Sequence, residues 1–172
     1  MSRAFVKEDD QRNAGDELPE RAQSPHPNYV TPQGLADLKR ELETLMTQRE
    51  TTMQGGDALA AEGSRGRIDR NLRYTKSRIA CAILVEPANQ PADTVAFGAR
   101  VRVRERSSAE RVFTIVGEDE ADAERGKASW VSPLARALRG AQVGDSVTWK
   151  RPNGDLELEI VSIEYAERES GS

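Results

Sequence analysis

Residues 132–165 read SPLARALRGAQVGDSVTWKRPNGDLELEIVSIEY, and this stretch decides the fold of the second half of the chain. Ser132 followed by Pro133 is a capping residue with proline at the first helical position, which predicts a short helix over 133–138. The VGD and PNG motifs that follow predict turns on either side of a strand at 146–150. A helix and a strand set between turns indicate a small mixed domain.

The last strand, at 156–163, alternates between apolar and charged residues until the pattern slips between Ile160 and Val161. The slip predicts either a bulge or a strand with both faces buried. Upstream, RVRVR at 100–104 alternates without a fault, as a half-exposed strand does. Further strands are predicted at 111–116 and 128–131. Together these elements predict an α+β domain of about 75 residues, a size that supports its own core.

A coiled-coil hairpin is predicted ahead of this domain. Thr31 is a good N-cap and Pro32 fits the first helical position, so a helix should begin there. Its apolar seam has spacings of three and four residues and consists of Leu35, Leu38, Leu42 and Leu45. A second helix is predicted from about 64 to 84, with a seam of Ile68, Leu72, Thr75, Ile79 and Ala82. A tip within 55–66 makes the pair antiparallel, and each helix stabilises the other in water.

The chain is therefore expected to have four segments. These are a disordered tail (1–28), an antiparallel coiled-coil hairpin (29–86), a linker (87–94) and a β-rich domain (95–167). The tail is polar and contains prolines, so it can bury little apolar surface. The linker follows from Pro87 and Pro91, which end the second helix.

Composition excludes several classes of protein. The 172 residues carry 25 basic and 29 acidic side chains, so the net charge of −4 does not attract nucleic acid to the whole molecule. A single cysteine rules out an internal disulfide and is typical of a reducing compartment. No apolar run is long enough to span a bilayer, and the N-terminus lacks the apolar core of a signal peptide. We expect a soluble cytoplasmic protein with no metal site, no cofactor and no membrane partner.

The stretch 132–165 resembles the closing segment of the bacterial Gre family, the transcript-cleavage factors that enter the secondary channel of RNA polymerase. The short helix, VGD turn, strand, PNG turn and final strand ending in IEY occur in that family's order. YVTPQGL (29–35) and IDRNLRY (68–74) are similar to the family at the hairpin base. The resemblance covers residues 28–166 and is weak at the tip. It implies a helical hairpin followed by a domain with a fold similar to FK506-binding proteins.

The resemblance implies RNA polymerase as the partner, and the chain is expected to act as a monomer. In the family, the C-terminal domain grips the rim of the secondary channel through the loop before the short helix. That loop corresponds here to Val131, Ser132 and Pro133. A simple helix start explains the same residues, and both interpretations can hold together.

The second helix carries a basic stripe. Arg67, Arg70 and Arg73 are three residues apart, which puts their side chains on neighbouring turns of one side of the helix. Lys76 completes the predicted basic face, and Arg65 and Arg78 extend the set. Such a stripe suits a phosphate backbone, and in the family a basic patch on the hairpin touches the RNA. The alternative is a solvated face paired with acids of the first helix.

The tip departs from the family's pattern. Cleavage factors carry a block resembling GDxSENADY, whose acids help hold a second Mg²⁺ in the polymerase's active site. Here the region reads GGDALAAEGSRGRIDR (55–70), and Asp57 and Glu62 are the candidate tip carboxylates. The arms are also shorter than usual, and a carboxylate a few Å away from a metal is not a ligand. We therefore expect docking with weak or no stimulation of cleavage, and we expect that the chain is not an enzyme.

Three alternatives stay open. A cleavage-competent Gre factor would use Asp57 and Glu62. A short-hairpin relative of Gre would bind polymerase with little insertion into the channel. A peptidyl-prolyl isomerase is the enzymatic alternative, because FK506-binding folds can host that activity. Its aromatic candidates are Phe97, Phe113, Trp130, Trp149 and Tyr165, although several of these must build the core.

Overall fold

The computed structural model describes residues 18–167. The chain forms two compact units. Unit 1 contains residues 18–23 and Glu41–Ser77, and unit 2 contains Ser24–Arg40 and residues 78–167. The first 17 residues of the predicted tail lie outside the described part of the chain, and residues 18–27 form neither helix nor strand.

The first long helix begins where its capping motif predicts. α1 spans Pro32–Gln54 and follows Thr31, whose Oγ1 accepts a hydrogen bond of 2.9 Å from the Gly34 amide. Within unit 1, Leu45 of its apolar seam is only 4% exposed. The seam prediction therefore identifies the buried side of this helix correctly.

The second long helix, α2 (Ala58–Ala80), begins earlier than predicted because Asp57 caps it. The Ala60 amide lies 3.5 Å from Asp57 Oδ1, and the Ala61 amide donates to the Asp57 carbonyl at 3.0 Å. Only residues 55–57 connect the two helices, so the chain reverses at once and the helices form an antiparallel hairpin. None of the helices described within residues 18–167 combines the length and apolar character that a bilayer span requires.

A small parallel sheet replaces the predicted end of α2. Ala82–Leu84, expected to be helical, form β2, which pairs with β1 (Asn28–Val30). The Val85 amide extends this pairing by donating to the Val30 carbonyl at 3.0 Å. Strands of three residues are too short to show alternation, so the helical spacing at Ala82 led the sequence prediction too far.

The second half of the chain folds as an α+β domain around a five-stranded sheet, which confirms the predicted fold class. The strand order is β5-β4-β3-β7-β6; β4 and β5 pair in parallel and the other neighbours are antiparallel. The elements are β3 (Arg100–Glu105), β4 (Glu110–Val116), β5 (Lys127–Ser129), α3 (Pro133–Leu138), β6 (Ser146–Trp149) and β7 (Leu156–Glu164).

The slip in the last strand is a β-bulge. Arg102 of β3 lies opposite Ser162, but the next residue, Val103, lies opposite Ile160. Val161 is therefore left without a partner on β3, which decides between the two interpretations that the sequence allowed. The bulge lets Leu158 and Ile160 stay on the buried face, where each is 1% exposed.

The core lies between one face of this sheet and α3. Its members are apolar side chains from the strands, from α3, from the segment before β3 and from the turn after α3: Val95, Ala99, Val101, Val103, Ile115, Leu134, Ala135, Leu138, Ala141, Leu158 and Ile160. Trp130 and Trp149, two of the aromatic residues from which the sequence predicts that the core is built, are partly buried and pack against it. On the other face, Arg104 pairs with Glu110 and Glu159, so that face carries balanced charge.

Candidate functional site

The loop before α3 is held in one conformation by its own hydrogen bonds. Ser132 Oγ accepts a bond of 3.2 Å from the Ala135 amide, and Pro133 occupies the first turn, as predicted. The Val131 amide lies 3.4 Å from Ser129 Oγ. Buried Leu134 anchors the helix while Pro133 stays exposed. The three predicted rim-binding residues therefore lie on a loop that these hydrogen bonds tie to the start of α3.

An apolar groove lies beside this loop, and sequence reasoning missed it. Its volume is about 560 Å³, and its walls include Phe113, Trp149 and Leu134 together with Ser132 and Pro133 of the loop. The Phe113 and Trp149 rings meet edge to face with centroids 6.0 Å apart. These rings come from β4 and β6, and only the folded sheet makes them neighbours of the loop.

The five aromatic candidates for an isomerase pocket are divided between different places. Phe113 and Trp149 line the groove just described, whereas Phe97 and Trp130 line a separate cavity of about 300 Å³. The chain's own Pro27 also lines that smaller cavity.

Tyr165, the last residue of the IEY motif, has a structural contact. Its hydroxyl donates to the Thr94 carbonyl at 2.5 Å and accepts from the Ala96 amide at 2.9 Å. Burial raises the pKa of this hydroxyl above its usual value of 10.0. The motif therefore ties the end of β7 to the segment that precedes β3.

The two carboxylates predicted at the tip, Asp57 and Glu62, have different surroundings. Asp57 is the N-cap of α2, and its side chain faces the first turn of that helix. Glu62 is exposed and stands five positions further along, a spacing that does not place two side chains on one helix face. The neighbouring acid Asp69 pairs with Arg49 at 2.8 Å and lies 3.8 Å from Arg65. Within residues 18–167, no group of three or more His, Cys, Asp or Glu side chains is arranged to hold a metal ion.

The predicted basic face of α2 lies within unit 1, and its members differ in environment. Arg67 and Lys76 are exposed. Arg73 donates to Glu20 from Nε at 2.9 Å and from Nη2 at 2.5 Å. Arg70 is half-buried, and its Nε meets no hydrogen-bond partner among residues 18–167.

Arg78 does not belong to that basic face, which corrects the wider set proposed from the sequence. Its side chain is 3% exposed and lies within unit 2. Nε donates to Asp119 Oδ2 at 2.6 Å and Nη2 donates to Asn28 Oδ1 at 2.5 Å, while Asn28 Nδ2 donates back to the Arg78 carbonyl at 2.7 Å. Glu118 lies 3.9 Å away. Arg78 is therefore a buried structural cation.

The acidic run after β4 completes this polar network. Ser24 donates to Glu118 at 3.0 Å, and Thr31 donates to Glu120 at 2.5 Å while capping α1. Lys127 lies 3.6 Å from Glu120. In the sequence, the only signal of this network is the acidic GEDE run (117–120) directly after an apolar strand.

The chain combines a helical hairpin with a small α+β domain that carries a capped loop beside an apolar groove. It therefore belongs to the class of coiled-coil proteins with a sheet domain. The family model described as "Transcription elongation factor, GreA/GreB, C-term" matches residues 90–165. Transcription elongation factor GreB of Neisseria meningitidis is 37% identical, over 80% of this chain and 94% of that protein. Transcription elongation factor GreA of Thermodesulfovibrio yellowstonii is 32% identical, over 79% of this chain and 96% of that protein.

The chain belongs to the Gre family of bacterial transcription elongation factors. A solved structure, the prokaryotic transcription elongation factor GreA/GreB from Nitrosomonas europaea, is 26% identical. The match between the two structures covers 80% of this chain and 98% of the solved chain, with a TM-score of 0.40. The assignment to the family rests on the sequence relatives.

The expectation that the chain is not an enzyme is wrong as a flat statement. Its relatives are named transcription elongation factors GreB and GreA. As the family resemblance implies, such factors stimulate transcript cleavage by RNA polymerase, although the factor is not itself the catalyst.

Proposed function

We propose that the chain docks on RNA polymerase at the secondary channel and stimulates transcript cleavage weakly or not at all. In this role it occupies the channel and competes with cleavage-proficient Gre factors. The proposal places the protein in the cytoplasm as a monomer. The hairpin (29–86) reaches into the channel. The domain (95–167), which follows the linker (87–94), binds the rim.

Docking is assigned to the loop of Val131, Ser132 and Pro133. Membership of the Gre family supports this assignment, since the loop matches the family's rim contact. The hydrogen bonds of Ser132 also support it, because a loop that is already ordered loses little conformational entropy on binding. The apolar groove next to Pro133 offers the partner a surface to bury.

Contact with nascent RNA is assigned to Arg67, Arg70, Arg73 and Lys76. Three of these residues are exposed and Arg70 is half-buried, and cations on neighbouring turns of one helix can follow a phosphate backbone without reading its sequence. This contact supplies affinity within the polymerase complex. It supplies no metal ligand.

The observation that carries the weak-cleavage proposal is the use of Asp57 as a helix cap. The Asp57 carboxylate faces the start of its own helix, and the Glu62 side chain lies on a different side. The two carboxylates therefore do not ligate one metal ion together. Arg65 and Arg67 follow Glu62 within two turns of α2, and their positive charges repel a cation.

A cleavage assay on backtracked polymerase complexes tests this proposal. We expect the wild-type chain to shorten the transcript far more slowly than a cleavage-proficient Gre factor at equal occupancy. Asp57→Ser keeps the N-cap but removes the carboxylate, and Glu62→Gln removes the other charge. Glu43→Gln, at an exposed acid of α1, is the matched control.

All three variants should leave the low rate unchanged. Full stimulation by the wild-type chain that is lost in Asp57→Ser or Glu62→Gln, but kept in Glu43→Gln, would contradict the proposal. That outcome would establish the cleavage-competent alternative.

A further inference from the structure

Glu20 lies against the basic face of α2 within unit 1. Its Oε1 accepts two charge-assisted hydrogen bonds from one guanidinium, from Arg73 Nε at 2.9 Å and from Nη2 at 2.5 Å. The bonds from Arg73, helped by the charge of Arg70, hold the pKa of Glu20 below its usual value. Near neutral pH the carboxylate is therefore ionised and bound to the face.

Arg70 offers a further donor at the same place. It precedes Arg73 by three positions, which sets both side chains on one face. Its Nε is buried and lacks a hydrogen-bond partner within residues 18–167. Unpaired buried donors are rare in folded proteins, and each calls for an acceptor. A phosphodiester offers several acceptor oxygens, so it can serve both arginines.

The segment that carries Glu20 also contacts α2 through Arg21. The Arg21 guanidinium lies 3.7 Å from the centroid of the Tyr74 ring, and Nη1 lies 3.4 Å from Asn71 Oδ1. The side chains of Glu20 and Arg73 are 62% and 57% exposed. Exposed ion pairs contribute little net stability, so the Glu20–Arg73 pair itself opposes release of the segment only weakly.

We propose that Arg70 and Arg73 form an anion site for one RNA phosphodiester, and that Glu20 occupies this site in the free protein. Residues 18–23 are then a cover that RNA must displace. The inference rests on the RNA contact in the proposed function and adds a competitor that the chain itself supplies. The cover lowers the affinity of the free protein for RNA until phosphates are held nearby.

Binding of the full-length protein to a labelled short oligouridylate, followed by fluorescence anisotropy at low ionic strength, tests the inference. Glu20→Gln should bind about twofold to fivefold more tightly than wild type, the range that losing one exposed ion pair gives. Arg70→Gln combined with Arg73→Gln should weaken binding and lower the salt slope by about 0.7 for the one lost phosphate contact. Glu43→Gln makes the same charge change on α1 and should bind as wild type does.

Amide hydrogen exchange gives a second readout on the unmodified chain. Oligouridylate should speed exchange in residues 18–23, because RNA displaces them from α2. The inference is overturned if Glu20→Gln binds oligouridylate no more tightly than wild type or Glu43→Gln, or if Glu20→Gln does not bind oligouridylate at all. It is also overturned if RNA leaves hydrogen exchange in residues 18–23 unchanged.

Failure of the cover can be told apart from failure of docking. Displacement of a labelled Gre factor from polymerase does not depend on Glu20. A chain that displaces the factor, but whose RNA affinity does not respond to Glu20→Gln, loses only the cover. A chain that displaces nothing loses the proposed function itself.

Discussion

Replacing Arg78 by methionine tests the buried network of unit 2. Methionine keeps much of the apolar stem but removes the guanidinium that bonds to Asp119 at 2.6 Å and to Asn28 at 2.5 Å. The side chains of Asp119 and Glu118 are only 17% and 23% exposed. Two carboxylates thus lose their cation in a place where water replaces it poorly.

The expected loss of stability is large. Removing one partner of a buried pair costs about 3 to 5 kcal/mol of unfolding free energy. Because the two carboxylates are partly exposed, we expect Arg78→Met to cost about 3 kcal/mol. With a urea slope of about 2 kcal/mol per molar, the unfolding midpoint should fall by about 1.5 M. Both tryptophans lie in unit 2, so their fluorescence reports its unfolding.

Arg125→Met is the matched control, since the same substitution there removes an ion pair with Asp122 from a side chain that is 77% exposed. It should change stability by about 0.5 kcal/mol or less. Asp119→Asn keeps an acceptor for Arg78 but loses the charge, and it should cost about 1 to 2 kcal/mol. Equal midpoints for Arg78→Met and Arg125→Met would refute the account of a buried structural cation.

Three further changes test separate parts of unit 2 by urea unfolding. Ser132→Ala removes the cap of α3 and should cost about 1 kcal/mol, whereas an unchanged midpoint would deny the cap a role. Gly117→Ala places a Cβ against the Tyr29 backbone carbonyl and should cost about 1 to 3 kcal/mol; wild-type stability would show that the backbone yields freely. Tyr165→Phe loses the bond to the Thr94 carbonyl and should cost about 1 kcal/mol near neutral pH. Because burial raises the pKa of Tyr165, wild-type stability is intact below pH 10.0 and falls as the pH rises through the folded-state pKa, while the Phe variant should lack this fall.

Local signals in the sequence predicted the α+β domain well. The Ser132 cap, the PNG turn and the slip at Val161 each depend on neighbouring residues, and each appears in the structure where the sequence places it. Alternation also located β3 and β7, because one side of each strand faces the core.

Features that depend on tertiary contacts were missed. Arg78 reads like any helical arginine until folding brings the GEDE run beside it. β2 has three residues and exists only because β1 lies next to it. The early start of α2 follows from the Asp57 cap, which lies within the predicted tip. The contact of Glu20 with Arg73 joins positions 53 residues apart, and no local pattern reports such a pair.

Displacement of a labelled, cleavage-proficient Gre factor from RNA polymerase tests the central proposal most directly. The account predicts that increasing amounts of this chain release the labelled factor, since both occupy the rim of one channel. If the folded chain, checked by its urea transition, leaves the labelled factor bound at every concentration, docking at the secondary channel is contradicted.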